Sequence, residues 1–293
     1  MMRRLYHWTL DTLPPAVSQR FQYLLSHGRL PNLREPKTFN EHVLRMKLTW
    51  DDPRHVCFAD KLAVKDIVAE RLGPRWVTPT LWSGTSFPAN LDFPYPYVVK
   101  ANHGSGQVAF VRSEQDEVGL AERVSRWLDK RLARKWAEGW YARIEPKLLV
   151  EPMLGDGVEA PLDYKFYGFD GNVVCVQVDT GRFGEHKRSF YDPGWGKLRI
   201  EFGYPIDPSD IPAPRYLSEM VSAASELSRG FDFARVDFYE LESGPRFGEV
   251  TFAPASGLTR YEPRSADEWL GTFWPQAPAG RSAAPAAERR GLV

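Results

Sequence analysis

Cysteine is almost missing from this chain. Only Cys57 and Cys175 occur in 293 residues, far apart and with no C-x-x-C. That excludes a disulfide framework and a cysteine-built zinc site, and it fits a reducing compartment. The six histidines form no H-x-x-x-H or H-E-x-x-H pair, so zinc catalysis has no ligand set either. An excess of charge is also absent: 38 basic side chains balance 38 acidic ones. The chain as a whole is therefore not drawn to nucleic acid or to an anionic membrane. No apolar run approaches the roughly 20 residues that a membrane helix needs. The basic start Met1–Leu10 lacks the apolar core of a signal peptide, so a cytoplasmic location is expected. There is no G-x-x-x-x-G-K-[ST], no G-x-S-x-G and no Asp-x-Asp. A P-loop enzyme and a serine hydrolase are thereby excluded, and a metal-dependent glycosyltransferase is disfavoured.

What is present is a globular composition, 43% hydrophobic and 13% aromatic, with material for roughly two domains. Residues 1–80 read as a helical lead-in, in which Val64, Ile67, Val68 and Leu72 recur at helical spacing before Gly73-Pro74 stops the helix. A Pro- and Ser-rich stretch from Pro79 to Pro96 reads as loop. The strand Tyr97–Lys100 enters a Gly-Ser-Gly loop. The residues Val124, Leu128, Leu132, Trp136 and Trp140 predict one amphipathic helix from Leu120 to Trp140, its basic face solvated. Lys147–Leu154 reads as a strand. Tyr164–Tyr167, Val173–Asp179 and Arg188–Tyr191 read as antiparallel strands, with a turn at Asp170-Gly171-Asn172. A helix over Ser218–Leu227 precedes a hairpin of Ala234–Glu240 and Arg246–Phe252. The expected organisation is α+β: a lead-in over 1–80, a small lobe over 81–155, a large lobe over 156–274, and a disordered tail over 275–293.

Two stretches carry the chemistry. Val98–Val111 contains Lys100-Ala-Asn-His-Gly-Ser-Gly106, which offers one positive charge and glycine-loop N–H groups to a polyphosphate. Ala234–Phe252 contains Asp237 and Glu249, two hard oxygen donors suited to a divalent cation. A phosphate cradle with a carboxylate pair points to a nucleotide and its metal.

The order of Thr38-Phe-Asn-Glu41, Cys57-Phe-Ala-Asp-Lys61, Lys100–Gly106, Leu148-Leu-Val-Glu-Pro-Met-Leu154, Asp163-Tyr-Lys-Phe166, His186–Asp192, Arg235-Val-Asp237 and Gly248-Glu-Val-Thr-Phe252 resembles the ATP-grasp superfamily. Within it, the chain is most similar to the TupA-like branch of polysaccharide-biosynthesis clusters. The resemblance implies an ATP-grasp fold, with ATP held between two α+β lobes, and ATP and Mg2+ as cofactors. It implies that Lys61 and Lys100 contact the α- and β-phosphates, and that His103, Gly104, Ser105 and Gly106 fold over them as a lid. Glu151, Met153 and Leu154 would receive adenine, and Asp156 the ribose. Lys187 would reach the β- and γ-phosphates, and Arg235 would neutralise the transferred phosphoryl group. Asp237, Glu249 and Thr251 would hold the metal, Thr251 standing where many relatives carry asparagine. Asp163, Lys165, Asp179 and Arg182 would line the substrate side.

Taken singly, each assignment has an ordinary structural rival. Lys100 would be a strand-end cation, Arg235 and Asp237 a surface ion pair, His103 a loop cap, and Asp163, Lys165 and Asp179 charges on a sheet surface. Cys57 and Cys175 read as core residues. Jointly, the resemblance implies an ATP-dependent carboxylate–amine ligase that forms an acyl phosphate. Its partners would be a small-molecule or glycan carboxylate and an amine, with no nucleic acid and no integral membrane segment; a homodimer is left open. The alternatives are a glycosyltransferase or other sugar-modifying enzyme, and a non-catalytic nucleotide-binding protein.

Overall fold

The computed structural model describes residues 12–88, 92–129, 136–155, 161–181 and 184–275. The expected ribose contact Asp156, the substrate-side Arg182, residues 1–11 and the tail beyond 275 lie outside the described residues.

Four helices lead: α1 (Pro15–His27), α2 (Phe39–Thr49), α3 (Arg54–Ala59) and α4 (Ala63–Leu72). The sequence Thr38-Phe-Asn-Glu41 starts α2 as a capping box: the Thr38 hydroxyl accepts from the Glu41 N–H, and the Glu41 carboxylate accepts from the Thr38 N–H. Glu41 also accepts from Arg29 at 2.6 Å and from the Asn32 and Lys37 N–H groups, so this segment is a folding device.

Two antiparallel sheets follow. The small sheet has the order β1 (Trp82–Gly84), β4 (Leu148–Pro152), β2 (Tyr97–Ala101) and β3 (Val108–Val111). Helix α5 (Leu120–Leu128) buries Leu120, Val124 and Trp127 against Tyr97, Val99 and Val150 of this sheet. The large sheet is built from β5 (Asp163–Phe169), β6 (Asn172–Thr180), β7 (Lys187–Tyr191) and β8 (Lys197–Leu198), with β10 (Ala234–Leu241) and β11 (Gly244–Thr251) on its other side. Between them come β9 (Glu201–Phe202) and α6 (Leu217–Ser228); β12 (Tyr261–Glu262) and α7 (Arg264–Gly271) close the described chain. The β5–β6 turn lies where Asp170-Gly171 predicts it, with both residues at positive φ, 46° and 83°.

Each sheet has its own core. The large core also takes in Phe39, Val43, Phe58, Val64, Val68 and Trp76, so the N-terminal helices pack on the large lobe. One expectation fails in part. The helix predicted through Trp140 ends at Leu128, and Trp140 belongs to a 3-10 turn, Gly139–Arg143. Ala137 has φ 56°, which no helix accommodates, and the indole instead packs against Trp50 and Phe252 in the large core. Cys57 is exposed, and only Cys175 is core.

His42 of α2 is buried against Trp274, ring centroids 4.9 Å apart, and its Nδ1 finds no partner among the described residues. Burial first, then Arg45, pushes its pKa down to about 4. The unfolded chain therefore binds the proton more readily, so His42's contribution to stability is present above pH 6.5 and is lost as pH falls through 4. Buried Asp267, pushed up to about 6 mainly by desolvation, slopes the other way, its contribution being lost as pH rises through 6. The test is therefore a difference: His42→Phe should keep about 2 kcal/mol more of its neutral-pH stability than wild type on going from pH 7 to pH 4. Urea melts across that range check it, and parallel losses in the two proteins would contradict it.

Candidate nucleotide and metal site

A cleft of about 410 Å³ lies between the two sheets. Its small-lobe wall carries Lys100, the loop Gly104-Ser105-Gly106, Phe110, Glu151, Met153 and Leu154. Its large-lobe wall carries Asp163, Lys165, Asp237, Tyr239, Gly248 and Glu249, and Lys61 lies between the two walls.

The glycine loop is fixed from below. Gly106 has φ 74°, a conformation that glycine takes without strain. Asn102 donates to Asp60 at 3.0 Å and to the Glu145 carbonyl at 3.0 Å, and accepts from the Lys147 N–H at 2.7 Å. The Lys61 N–H also donates to the Asn102 carbonyl. These bonds lock the Asp60-Lys61 turn against the end of β2. They bring the Lys61 ammonium to the Gly104 carbonyl at 2.8 Å, and to Glu249 at 3.4 Å. His103 does not line the cleft. It is buried beneath the loop, with Nδ1 against Asn102 and Nε2 against the Trp127 carbonyl, so it caps the loop.

Glu151 sits near the C-terminal end of β4, buried, between two ammonium groups. Lys100 donates to it at 2.6 Å, and Lys65 of α4 pairs with its other oxygen. Burial alone would raise the Glu151 pKa, but Lys100 and then Lys65 outweigh it and hold the pKa below the usual carboxylate range. Lys65 is absent from the residues expected at the site. Its spacing of four from Lys61 was the available signal.

The opposite wall follows from strand register. Asp237 of β10 faces Glu249 of β11 on one side and Lys165 of β5 on the other; Arg235 faces Thr251, and Asp163 faces Asp179. Residues two apart share a strand face, so these side chains meet in one row. Arg235 donates to both oxygens of Asp237 at 2.7 Å, and Lys165 donates to Asp237 at 2.9 Å while also pairing with Asp163. All four are largely withdrawn from water, so the rival reading of a surface ion pair does not apply. A bulge after Asp237 leaves Gly248 without a strand partner. A Cβ there would lie 3.1 Å from the Asp237 carbonyl oxygen, so glycine keeps this wall flat.

Glu249 is the most exposed of the carboxylates that line the cleft, its side chain 36% exposed. Burial tends to raise its pKa, but Lys61, Arg235 and Lys165 pull it down to about 2. No group of three or more Asp, Glu, His or Cys that could hold a metal occurs among the described residues. Two opposed carboxylates with an open cleft beside them still fit Mg2+, which keeps several waters and takes its remaining ligands from phosphates. Thr251 does not line the cleft; its hydroxyl accepts from Arg235 at 3.0 Å.

Two further expected residues lie elsewhere. Lys187 is at the start of β7, 3.9 Å from Glu185 and away from the cleft lining. Asp179 is buried beside Arg188, which donates to it at 2.5 Å, and 3.5 Å from His186.

The model of the TupA-like ATP-grasp family matches residues 41–274. The chain belongs to the TupA-like ATP-grasp family. Solved structures similar to this family member include D-alanine–D-alanine ligase from Bacillus anthracis complexed with ATP, at 18% identity and a TM-score of 0.45, covering 74% of this chain and 65% of that one. The same enzyme from Helicobacter pylori matches at 14% identity and a TM-score of 0.44, covering 76% and 60%. The ATP-grasp ligase PsnB complexed with its minimal precursor matches at 15% identity and a TM-score of 0.38, covering 69% and 54%. The chain thus spans less than two thirds of the length of each of these structures. No curated protein matches the sequence. No helix among the described residues is long and apolar enough to cross a membrane.

Replacing Glu151 by glutamine leaves Lys65 and Lys100 facing a neutral group. The pair is partly solvated, so the expected loss is about 2 kcal/mol, less than for a fully buried pair. Calorimetry of Glu151→Gln should show it as a lower Tm, and an unchanged Tm would mean that the two lysines are held by something else.

Proposed function

We propose that this member of the TupA-like ATP-grasp family is a cytoplasmic, ATP-dependent carboxylate–amine ligase. The observation that supports this best is the cleft itself, with a glycine loop and lysines on one wall and two cation-flanked carboxylates on the other.

In this reading the adenine lies against Met153 and Leu154, and the triphosphate runs from Lys100 and the Gly104–Gly106 N–H groups toward Arg235 and Lys61. Magnesium held by Asp237 and Glu249 would neutralise charge on the β- and γ-phosphates. Phosphoryl transfer asks little covalent chemistry of a protein, so placing positive charge is the main task. An oxygen of the substrate carboxylate bonds to the γ-phosphorus, and the bond from that phosphorus to the ADP oxygen breaks. The nitrogen of the amine then bonds to the acyl carbon, phosphate leaves, and the nitrogen gives up its proton. The two lobes keep water away from the acyl phosphate, which water would otherwise hydrolyse. The acid is proposed to be an acidic sugar or related acid of an envelope or capsule polymer, in keeping with the polysaccharide-cluster branch that the motifs resemble.

The test is ADP release with ATP, magnesium and a panel of acidic sugars and amines. Production of ADP that requires both an acid and an amine supports the proposal, and no ADP with any pair opposes it. Glu249→Gln keeps shape but removes charge, and should lower turnover on the order of 10²-fold or more. Thr251→Val removes one acceptor from Arg235 and should cost about fivefold, whereas Thr251→Asn, which keeps an acceptor, should stay near wild type. Near wild-type turnover in Glu249→Gln would place the metal elsewhere.

A further inference from the structure

One nitrogen occupies the centre of the metal site. Nη2 of Arg235 lies 2.7 Å from Asp237 Oδ2, 3.0 Å from Thr251 Oγ1 and 3.5 Å from Glu249 Oε1. Those are the three oxygen groups expected to surround a divalent cation. Two ammonium groups complete the arrangement, Lys165 on Asp237 at 2.9 Å and Lys61 beside Glu249 at 3.4 Å. Three carboxylates, Asp163, Asp237 and Glu249, are thus matched by three cations, Arg235, Lys165 and Lys61.

We infer that Arg235 is the resident cation of this site, and that the site takes a divalent metal only once a nucleoside triphosphate has drawn the guanidinium onto its phosphates. This rests on reading the cleft as a nucleotide site. A metal arriving alone meets a cluster whose charges already cancel, and must displace a fork of donors that fits Asp237 bidentately. A triphosphate arriving first changes both conditions. Its negative charges give Arg235 and Lys61 new partners across the cleft, and the two carboxylates are then left short of positive charge. Nucleotide and metal are therefore coupled, and the coupling is reciprocal. Lys165 differs from the other two cations. It is buried between Asp163 and Asp237 and stays behind as a fixed counter-ion. The arrangement protects the cleft against free cytosolic magnesium, and it keeps the carboxylate wall folded before any ligand arrives.

Binding of Mn2+ to the full chain without nucleotide, followed by electron paramagnetic resonance of the free ion, tests this. The wild type should bind weakly, and Arg235→Gln at least about tenfold more tightly, within the usual range of coupling between sites. Equally tight nucleotide-free binding in the two proteins would overturn the inference. If Arg235→Gln does not fold, the wild type decides by thermal melting. Millimolar Mg2+ alone should leave Tm unchanged, a non-hydrolysable ATP analogue in EDTA should raise it, and the two together should raise it further. A rise with Mg2+ alone, with the analogue still binding, overturns this inference and leaves the nucleotide site standing. No binding of the analogue under any condition overturns the nucleotide reading, and this inference with it.

Discussion

The ion network centred on Asp237 is the constraint that orders the rest of the structure. A carboxylate withdrawn this far from water survives only if its oxygens are matched by fixed donors. Arg235 supplies two from the same strand face, and Lys165 supplies a third from the neighbouring strand. That demand fixes the register of β5 against β10, because a slip of one residue in either strand would turn its two charges toward the core on the other side of the sheet. It also explains why the opposite face of β10 is apolar, with Val236 and Phe238 buried in the large core beneath α6.

The same network sets what the cleft can receive. Asp237 is saturated, and the partly exposed Glu249 is held ionised by Lys61 at 3.4 Å and Arg235 at 3.5 Å. One carboxylate is held by fixed donors, and the other is partly open to water. Across the cleft, Asn102 and Asp60 carry Lys61 from the N-terminal helices to the glycine loop, so an element that packs on the large lobe reaches over to the small one. The cleft is therefore a joint between three segments of the chain, and ligand that spans it would tie all three.

Much of this was legible in the sequence. Short runs between turn signals predicted β5, β6, β7, β10 and β11 to within a residue or two, and the turn at Asp170-Gly171 joins β5 to β6; the two-residue β8 was not expected. Local glycine chemistry located the loop after β2. What decides the rest is tertiary. In sequence His103 is open between lid and loop cap, and it packs under the loop because Trp127 of a distant helix offers its ring nitrogen a carbonyl. The helix through Trp140 followed a correct apolar spacing that a large indole pocket overrode. Thr38-Phe-Asn-Glu41, one of the stretches that carry the family resemblance, is a helix start. Arg235, expected to act on the phosphoryl group, is bound to Asp237 and Thr251; its spacing of two from Asp237 gave the first contact, and only the pairing of β10 with β11 gives the second.

The central claim is that a triphosphate and its metal lie between the glycine loop and Glu249. A crystal structure with a non-hydrolysable ATP analogue and Mn2+, whose anomalous signal locates the metal, tests it most directly. The account predicts the phosphates between Gly104–Gly106 and β11, the metal in contact with Glu249, and Arg235 turned toward the γ-phosphate. Nucleotide bound outside this cleft, or metal without contact to Glu249, would contradict it.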